Sequence, residues 1–443
     1  MQFERDLWRR FGRGGRAGIL ADGERIELVD AGALSAEVAS ASLASHQASG
    51  RDRSARLVEQ AFMLRELARR TGDAAVLSRA AHTTERAIKL AADQKVRIAA
   101  RLELAAVGVL TADLFGDDQA ADAARARIHA IEVEEKLTLD DRILVQGFKA
   151  RLMARKAMAD NDLNAAVEAA GVFDEAVLAS DERVRQSGEG RIIAANLRLH
   201  RADLLIGFGL QLKENNLLRQ AESDLAQLVA RLDREKLPIT WARTEALRGA
   251  ALAALGDLDA TPDRIAAGAA ALTAAVEHLP ETHSPLDTAR MTHSLALALA
   301  SLGEACDDDH MFDNAVTAFD TALRLFETAP DLSQRAICAY DRACAVARRA
   351  ERRGDARALA YAERAFKAEL SAVDPSRDPL AWAVIQVALA RVYMARVHLT
   401  GDDGERSNAI LALSEAMEVF TERGLRSLAD VALTSLEEMK TQA

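Results

Sequence analysis

The sequence predicts an all-α protein, a solenoid of antiparallel helix pairs, and three observations point there. The stretch TWARTEALRGAALAALG at 240–256 is answered 47 residues later by DTARMTHSLALALASLG at 287–303. Stepping by that interval aligns whole columns of like-sized residues. The composition agrees: apolar residues are 49% with alanine foremost, aromatics are 4% and prolines number 7. Alanine is the strongest helix former and lets backbones approach closely, so such a chain favours helix packed on helix.

The columns define two helices per period. In the first helix they read Trp241, Thr288, Arg335, Trp382, then Ala242, Ala289, Ala336, Ala383, then Gly249, Ala296, Ala343, Ala390, then Leu252, Leu299, Val346, Tyr393. In the second helix the large columns are Leu272, Phe319, Phe366, Leu413, then Val276, Leu323, Leu370, Met417, then Leu279, Phe326, Val373, Phe420. Their i, i+4, i+7 spacing marks one face of an α-helix. A small column, Gly268, Ala315, Ala362, Ala409, precedes them. One period upstream, Ala195, Ala202, Leu204 and Gly209 fill the first helix, and Ala221, Leu225, Val229 and Leu232 the second.

From the N-terminus, residues 1–17 set Arg5, Arg9, Arg10, Arg13 and Arg16 around Phe3, Trp8 and Phe11. This segment reads either as a loosely packed terminus or as a peripheral contact with an anionic membrane or acidic partner. Asp22-Gly23 between two short apolar runs predicts a short hairpin over 18–29. Residues 33–48 read as a weak helix or a linker. Helix pairs follow at 54–70 with 74–92, 95–115 with 119–135, and 140–159 with 163–178. Gly, Asn or Asp stands at each joint, where one helix must stop and the next be capped. These pairs are shorter, nearer 40 residues than 47. The polar stretch 180–190 reads as a loop or bend. The expected organisation is an N-terminal basic segment (1–53), irregular pairs (54–180), regular repeats (190–421) and a capping helix (424–443) that shields the last repeat.

No apolar run reaches the roughly 20 residues of a membrane span, and charges interrupt any secretory core, so a cytoplasmic location is expected. The net charge of -11 disfavours general nucleic-acid binding. Three cysteines, Cys306, Cys338 and Cys344, do not form a disulfide framework.

Catalytic and metal motifs are not expected. Gly12-Arg13-Gly14-Gly15 lacks nucleotide-loop spacing. Cys306-Asp307-Asp308-Asp309-His310 and Gly401-Asp402-Asp403-Gly404 read as acidic loops opening second helices, where the dipole favours carboxylates. His278, His283 and His293 lack the spacing of helical ligands. No cofactor is implied.

The first-helix line resembles the tetratricopeptide repeat, in particular its long-period bacterial variety. The resemblance rests on Pro238-Ile239-Thr240-Trp241-Ala242-Arg243-Thr244, Pro285-Leu286-Asp287 and Pro379-Leu380-Ala381-Trp382-Ala383, with Gly249, Ala251, Leu252, Leu255 and Gly256 at the line's end. It covers 190–421 strongly and 54–180 weakly. Arg248 and Arg342 stand where the family has leucine. The resemblance implies a right-handed superhelix whose first helices line a concave groove for a protein or peptide segment.

Carried over residue by residue, the implied groove holds Asn196 and Leu199; Arg243, Ala246 and Ala250; Arg290, His293 and Leu297; Tyr340 and Arg348; Val387 and Arg391. This face is basic over an apolar floor and suits an acidic segment or terminal carboxylate. The competing reading is that the arginines pair with carboxylates of adjacent repeats. The function expected is a non-catalytic protein–protein interaction scaffold. The alternatives are a ligand- or peptide-sensing regulator and a specificity subunit of a partner enzyme. Monomer and dimer both stay open.

Overall fold

The computed structural model describes residues 24–48, 50–134, 136–184, 188–329, 332–376, 379–422 and 426–441. The basic segment 1–17 and the Asp22-Gly23 turn lie outside the described residues. Among the described residues there are nineteen helices and no strand. They are α1 (Glu24–Glu27), α2 (Ala31–Gln47), α3 (Gly50–Thr71), α4 (Ala74–Leu90), α5 (Gln94–Phe115), α6 (Asp118–Glu134), α7 (Leu139–Asp160), α8 (Leu163–Val184), α9 (Gly188–Gln211) and α10 (Asn215–Arg231). Then follow α11 (Pro238–Leu258), α12 (Pro262–His278), α13 (Pro285–Cys306), α14 (Asp309–Thr328), α15 (Leu332–Arg353), α16 (Ala356–Ala372), α17 (Pro379–Thr400), α18 (Asp403–Glu422) and α19 (Arg426–Thr441).

Two expectations change. The second half of the expected hairpin is the short helix α1, and the stretch 180–190, expected as a loop or bend, is helical at 180–184 and again from 188; of the two readings of 33–48 the helix holds, as α2, which ends at Gln47. The first helices begin at residues 50, 94, 139, 188, 238, 285, 332 and 379. The spacing is therefore 44 and 45 residues at the front, 49 and 50 in the middle and 47 thereafter. The front pairs are only slightly short of the regular period, because their helices run longer than the apolar pattern alone marks.

The joints follow local chemistry. Asp73 accepts from the amides of Ala75 and Val76 at the start of α4, and Asp93 does the same for Lys95 and Val96 at α5. Thr138 and Asp141 form a reciprocal capping box at α7. Gly116 ends α5 at φ 67° and Asn161 ends α7 at φ 51°, the left-handed turn those residues tolerate.

The chain divides into two compact units: unit 1 runs to Ser294 and adds Glu327–Asp331, and unit 2 takes Leu295–Phe326 and Leu332 onward. Within unit 1, neighbouring pairs share apolar clusters, including Ile98, Leu102, Val109, Ile128 and Ile131 at α5–α6 and Leu199, Leu205, Leu218, Leu225 and Leu255 at α9–α11. Within unit 2, Leu359, Phe366, Leu389, Tyr393 and Leu413 do the same, and Leu436 and Met439 of α19 close that cluster. The repeat columns are this core: Leu272, Phe319, Phe366 and Leu413 are each buried. Where α11 crosses α12 the small columns meet, and a Cβ on Gly249 would stand 2.7 Å from the Gly268 carbonyl oxygen.

First helices also touch the first helices on either side, as α3 with α5, α5 with α7, α7 with α9 and α9 with α11 in unit 1, and α15 with α17 in unit 2. Among the described residues no comparable contact joins the second helices to each other. The first-helix layer is therefore the tighter, inner layer of each stack. That layer positions the candidate site.

Candidate functional site

Residues one period apart are neighbours on adjacent repeats, and polar side chains form rungs between them. In unit 1, Arg65 of α3 donates to Glu103 of α5 at 2.6 Å, Arg151 of α7 pairs with Asp113 of α5, and Arg243 of α11 donates to Asn196 of α9 at 3.1 Å. Arg243 also lies 3.7 Å from Asp287 of α13. In unit 2, Arg348 of α15 clasps Glu304 at 2.6 Å and Glu351 at 2.8 Å, while His398 of α17 meets Glu351 at 2.9 Å. Arg248 and Arg342, the departures from leucine, reach back to Glu222 and Asp320 on the preceding second helices.

The inner layer of unit 1 gathers a buried charge cluster. Arg70 of α3 is wholly buried and donates to the Glu66 carboxylate at 2.8 Å, to the carbonyls of Val29 at 2.5 Å and Ile26 at 2.8 Å, and to that of His283 at 3.5 Å. Arg69 bridges Glu66 at 2.9 Å and Asp287 at 2.8 Å. The Ser284 hydroxyl donates to Asp287 at 2.5 Å. Burial works against ionisation of Asp287, yet Arg69 and Arg243 outweigh it and hold its pKa down to about 2. Glu66 behaves alike: burial raises its pKa, Arg69 and Arg70 overcome that, and it lies far below the usual carboxylate range.

Glu27 of α1 is buried, and its carboxylate accepts from the Thr240 amide at 2.9 Å and from the Thr240 hydroxyl. Burial pushes its pKa up, and the two Thr240 bonds pull against that shift. The residue that caps the start of α11 is Leu237, whose side chain offers no hydrogen bond. Glu27 supplies that cap from 213 residues away in sequence. Periodicity could not show this contact, because it lies outside the repeat.

Beside this cluster, His200 and Asp203 of α9 face the arginines of the same layer. Asp203 is exposed; partial desolvation by the surrounding protein lifts its pKa, and Arg243 and Arg290 partly counter the rise. Asp203 makes no hydrogen bond or ion pair among the described residues. Desolvation, with Arg151 and Arg243 adding to it, holds His200 well below its ordinary value. His293 is buried, as is Leu199, and Arg290 is half-buried.

In unit 2 the groove residues divide differently. Arg348 is engaged by carboxylates, whereas Arg391 is exposed and makes no hydrogen bond or ion pair among the described residues. Tyr340 is half-buried and hydrogen-bonded to Cys344, and Arg391 is close enough to act on both. Leu297 is 43% exposed, and Val387 is half-buried against the core. A cation beside an aromatic and a soft apolar surface is what an acidic peptide segment finds favourable.

Burial lifts the Cys338 thiol to about 12 and raises Cys344 as well, so both stay protonated at neutral pH and poor as nucleophiles. All three cysteines are free. Among the described residues no cluster of three metal-ligating side chains occurs. The acidic loop before α14 instead meets arginines of α15: Asp307 pairs with Arg352 at 2.5 Å, and Asp309 with Arg353 at 2.9 Å. A cleft of about 280 Å³ in unit 1 has an apolar floor including Leu228 and Leu237 and a rim with Arg198, Arg231 and Lys236. It falls at the bottom of the size range of small-molecule sites, roughly 300–1,000 Å³. No described helix is long and apolar enough to cross a membrane.

No protein-family model and no curated protein matches the chain. Among solved structures it is similar to a Rap protein complexed with competence and sporulation factor, at 12% identity and TM-score 0.46, covering 88% of this chain and 98% of that one. It is also similar to a circular tandem repeat protein of novel repeat topology, at 15% identity and TM-score 0.27, covering 88% and 96% respectively. Likeness at this level carries no function to this chain.

Proposed function

We propose that the protein is a non-catalytic interaction scaffold and that the inner helices of unit 2 receive an acidic, peptide-like segment of a partner protein. The observation that carries this reading is Arg391, an exposed guanidinium on an inner helix, near the half-buried Tyr340 and Cys344 and without a hydrogen bond or ion pair among the described residues. Stacked helix pairs present long faces suited to extended partners. Arg348 serves this face indirectly, since Glu304 and Glu351 already hold it.

The test installs a photo-crosslinker at Val387 in the full chain and identifies the crosslinked peptide by mass spectrometry. Wild type is compared with Arg391→Glu at matched helicity. The expected result is one acidic segment, captured by wild type and at least tenfold less by Arg391→Glu. Capture unaffected by charge reversal, or of a segment without net negative charge, would refute the reading.

A further inference from the structure

Unit 1 closes on itself. The contacts that do so join α1 and α3 to the starts of α11 and α13, across the intervening repeats. Among the described residues four of them are Glu27 capping α11 through Thr240, the Ala31 amide donating to the Thr282 carbonyl at 2.9 Å, Arg69 paired with Asp287 at 2.8 Å, and Arg70 donating to the His283 carbonyl at 3.5 Å. These four are polar. The apolar side chains of the same segment are committed elsewhere, since Ile26, Val29, Leu34 and Val38 pack with Met63, Leu64, Leu67, Leu77, Val107 and Leu110 of α3–α5.

That division has a mechanical consequence. Parting α1 and α3 from α11 and α13 exchanges hydrogen bonds and an ion pair for water while leaving that apolar cluster intact. A hydrogen bond exchanged for water has small net value, unlike apolar area torn from a core. The parts are also coupled. Arg70 grips the Ile26 and Val29 carbonyls on either side of Glu27, and shares Glu66 with Arg69, so loss of one contact loosens the geometry of the others.

We propose that these four contacts are a releasable clasp that opens as one unit and gates the inner layer of unit 1, where α1 lies against α9 and α11 near His200, Asp203 and Arg243. The clasp stands apart from the unit 2 surface, and its failure would leave the partner-binding reading untouched.

Native-state hydrogen exchange on the full chain tests it, because the Thr240 and Ala31 amides are themselves donors in the clasp. In the wild type both exchange at one common rate, at least tenfold faster than the Ala251 amide in the middle of α11. Asp287→Asn, which touches neither amide, speeds both together by about tenfold and leaves Ala251 unchanged. Thr240→Val, a milder change that removes only the hydroxyl donor, speeds Ala31 in the same way. If Thr240 and Ala31 exchange as slowly as Ala251, or if Asp287→Asn accelerates α11 as a whole, the segment is permanent core. If the two amides respond independently, there is no clasp.

Discussion

Unit 1 buries its charges and unit 2 displays them, although both are built from the same kind of helix pair. In unit 1, Arg70 has no exposed surface, Asp287 is 7% exposed, and Glu66, Arg69 and Asp287 share one another's charges. In unit 2, the Arg348–Glu304 pair leaves its side chains 40% and 48% exposed, and Arg391 faces solvent. Period-related rungs can be made cheaply on a surface. A buried network forms only where elements from distant parts of the chain meet and every charge finds a partner. In unit 1 the meeting is between the N-terminal helices and the sixth first helix. The same repeat thus yields a buried charge network in one unit and exposed ion pairs in the other.

The comparison can be broken first at what the units share. Leu272→Ala in unit 1 and Phe319→Ala in unit 2 empty the same fully buried column, and each should lower the opening free energy of its own unit by about 3–5 kcal/mol. Hydrogen exchange at α12 and α14 measures this. A much smaller loss in one unit would show that the column is not equally structural in both.

Next comes the buried network alone. Arg70→Met leaves three carbonyls without the Arg70 donor and Glu66 with Arg69 alone, and should destabilise unit 1 by about 3–5 kcal/mol, with exchange in α17 unaffected. The acid response follows from the same charges. The Asp287 carboxyl is held at about 2 against an ordinary 3.8, so its contribution is complete above pH 4 or so and is lost as pH falls toward 2. That is roughly 2 kcal/mol of stability, read by urea denaturation at a series of pH values. Asp287→Asn should flatten the profile, and an unchanged slope would contradict the assigned pairing. The smallest effect belongs to unit 2, where Arg348→Ala should cost about 1 kcal/mol or less, and less still at high salt.

Much of the architecture was legible before any coordinates. The joints at Gly72, Gly116 and Asn161, the capping aspartates and the columns from Gly249 to Phe420 follow from helix propensity and periodicity, which are local. The hairpin expectation failed at residues 24–27 because a turn signal says nothing of what the following residues pack against; Ile26 and Val29 are buried against α3–α5, and Arg70 binds their carbonyls. The surroundings of the expected groove residues were not legible in the sequence. Carry-over named Arg243, Arg348 and Arg391 alike, yet Arg243 leans on Asn196 and Asp287, Arg348 on two glutamates, and Arg391 makes no hydrogen bond or ion pair among the described residues.

What the sequence by itself determined is therefore the repeat: which residues are helical, which face is apolar, where each helix stops and which side chains stand one period apart. Hydrogen bonds within four residues and hydrophobic periodicity need no distant partner. Only the tertiary structure decided which charges are neutralised and that Glu27 caps α11. Those properties depend on desolvation and on distances between segments more than 200 residues apart, which no local pattern encodes.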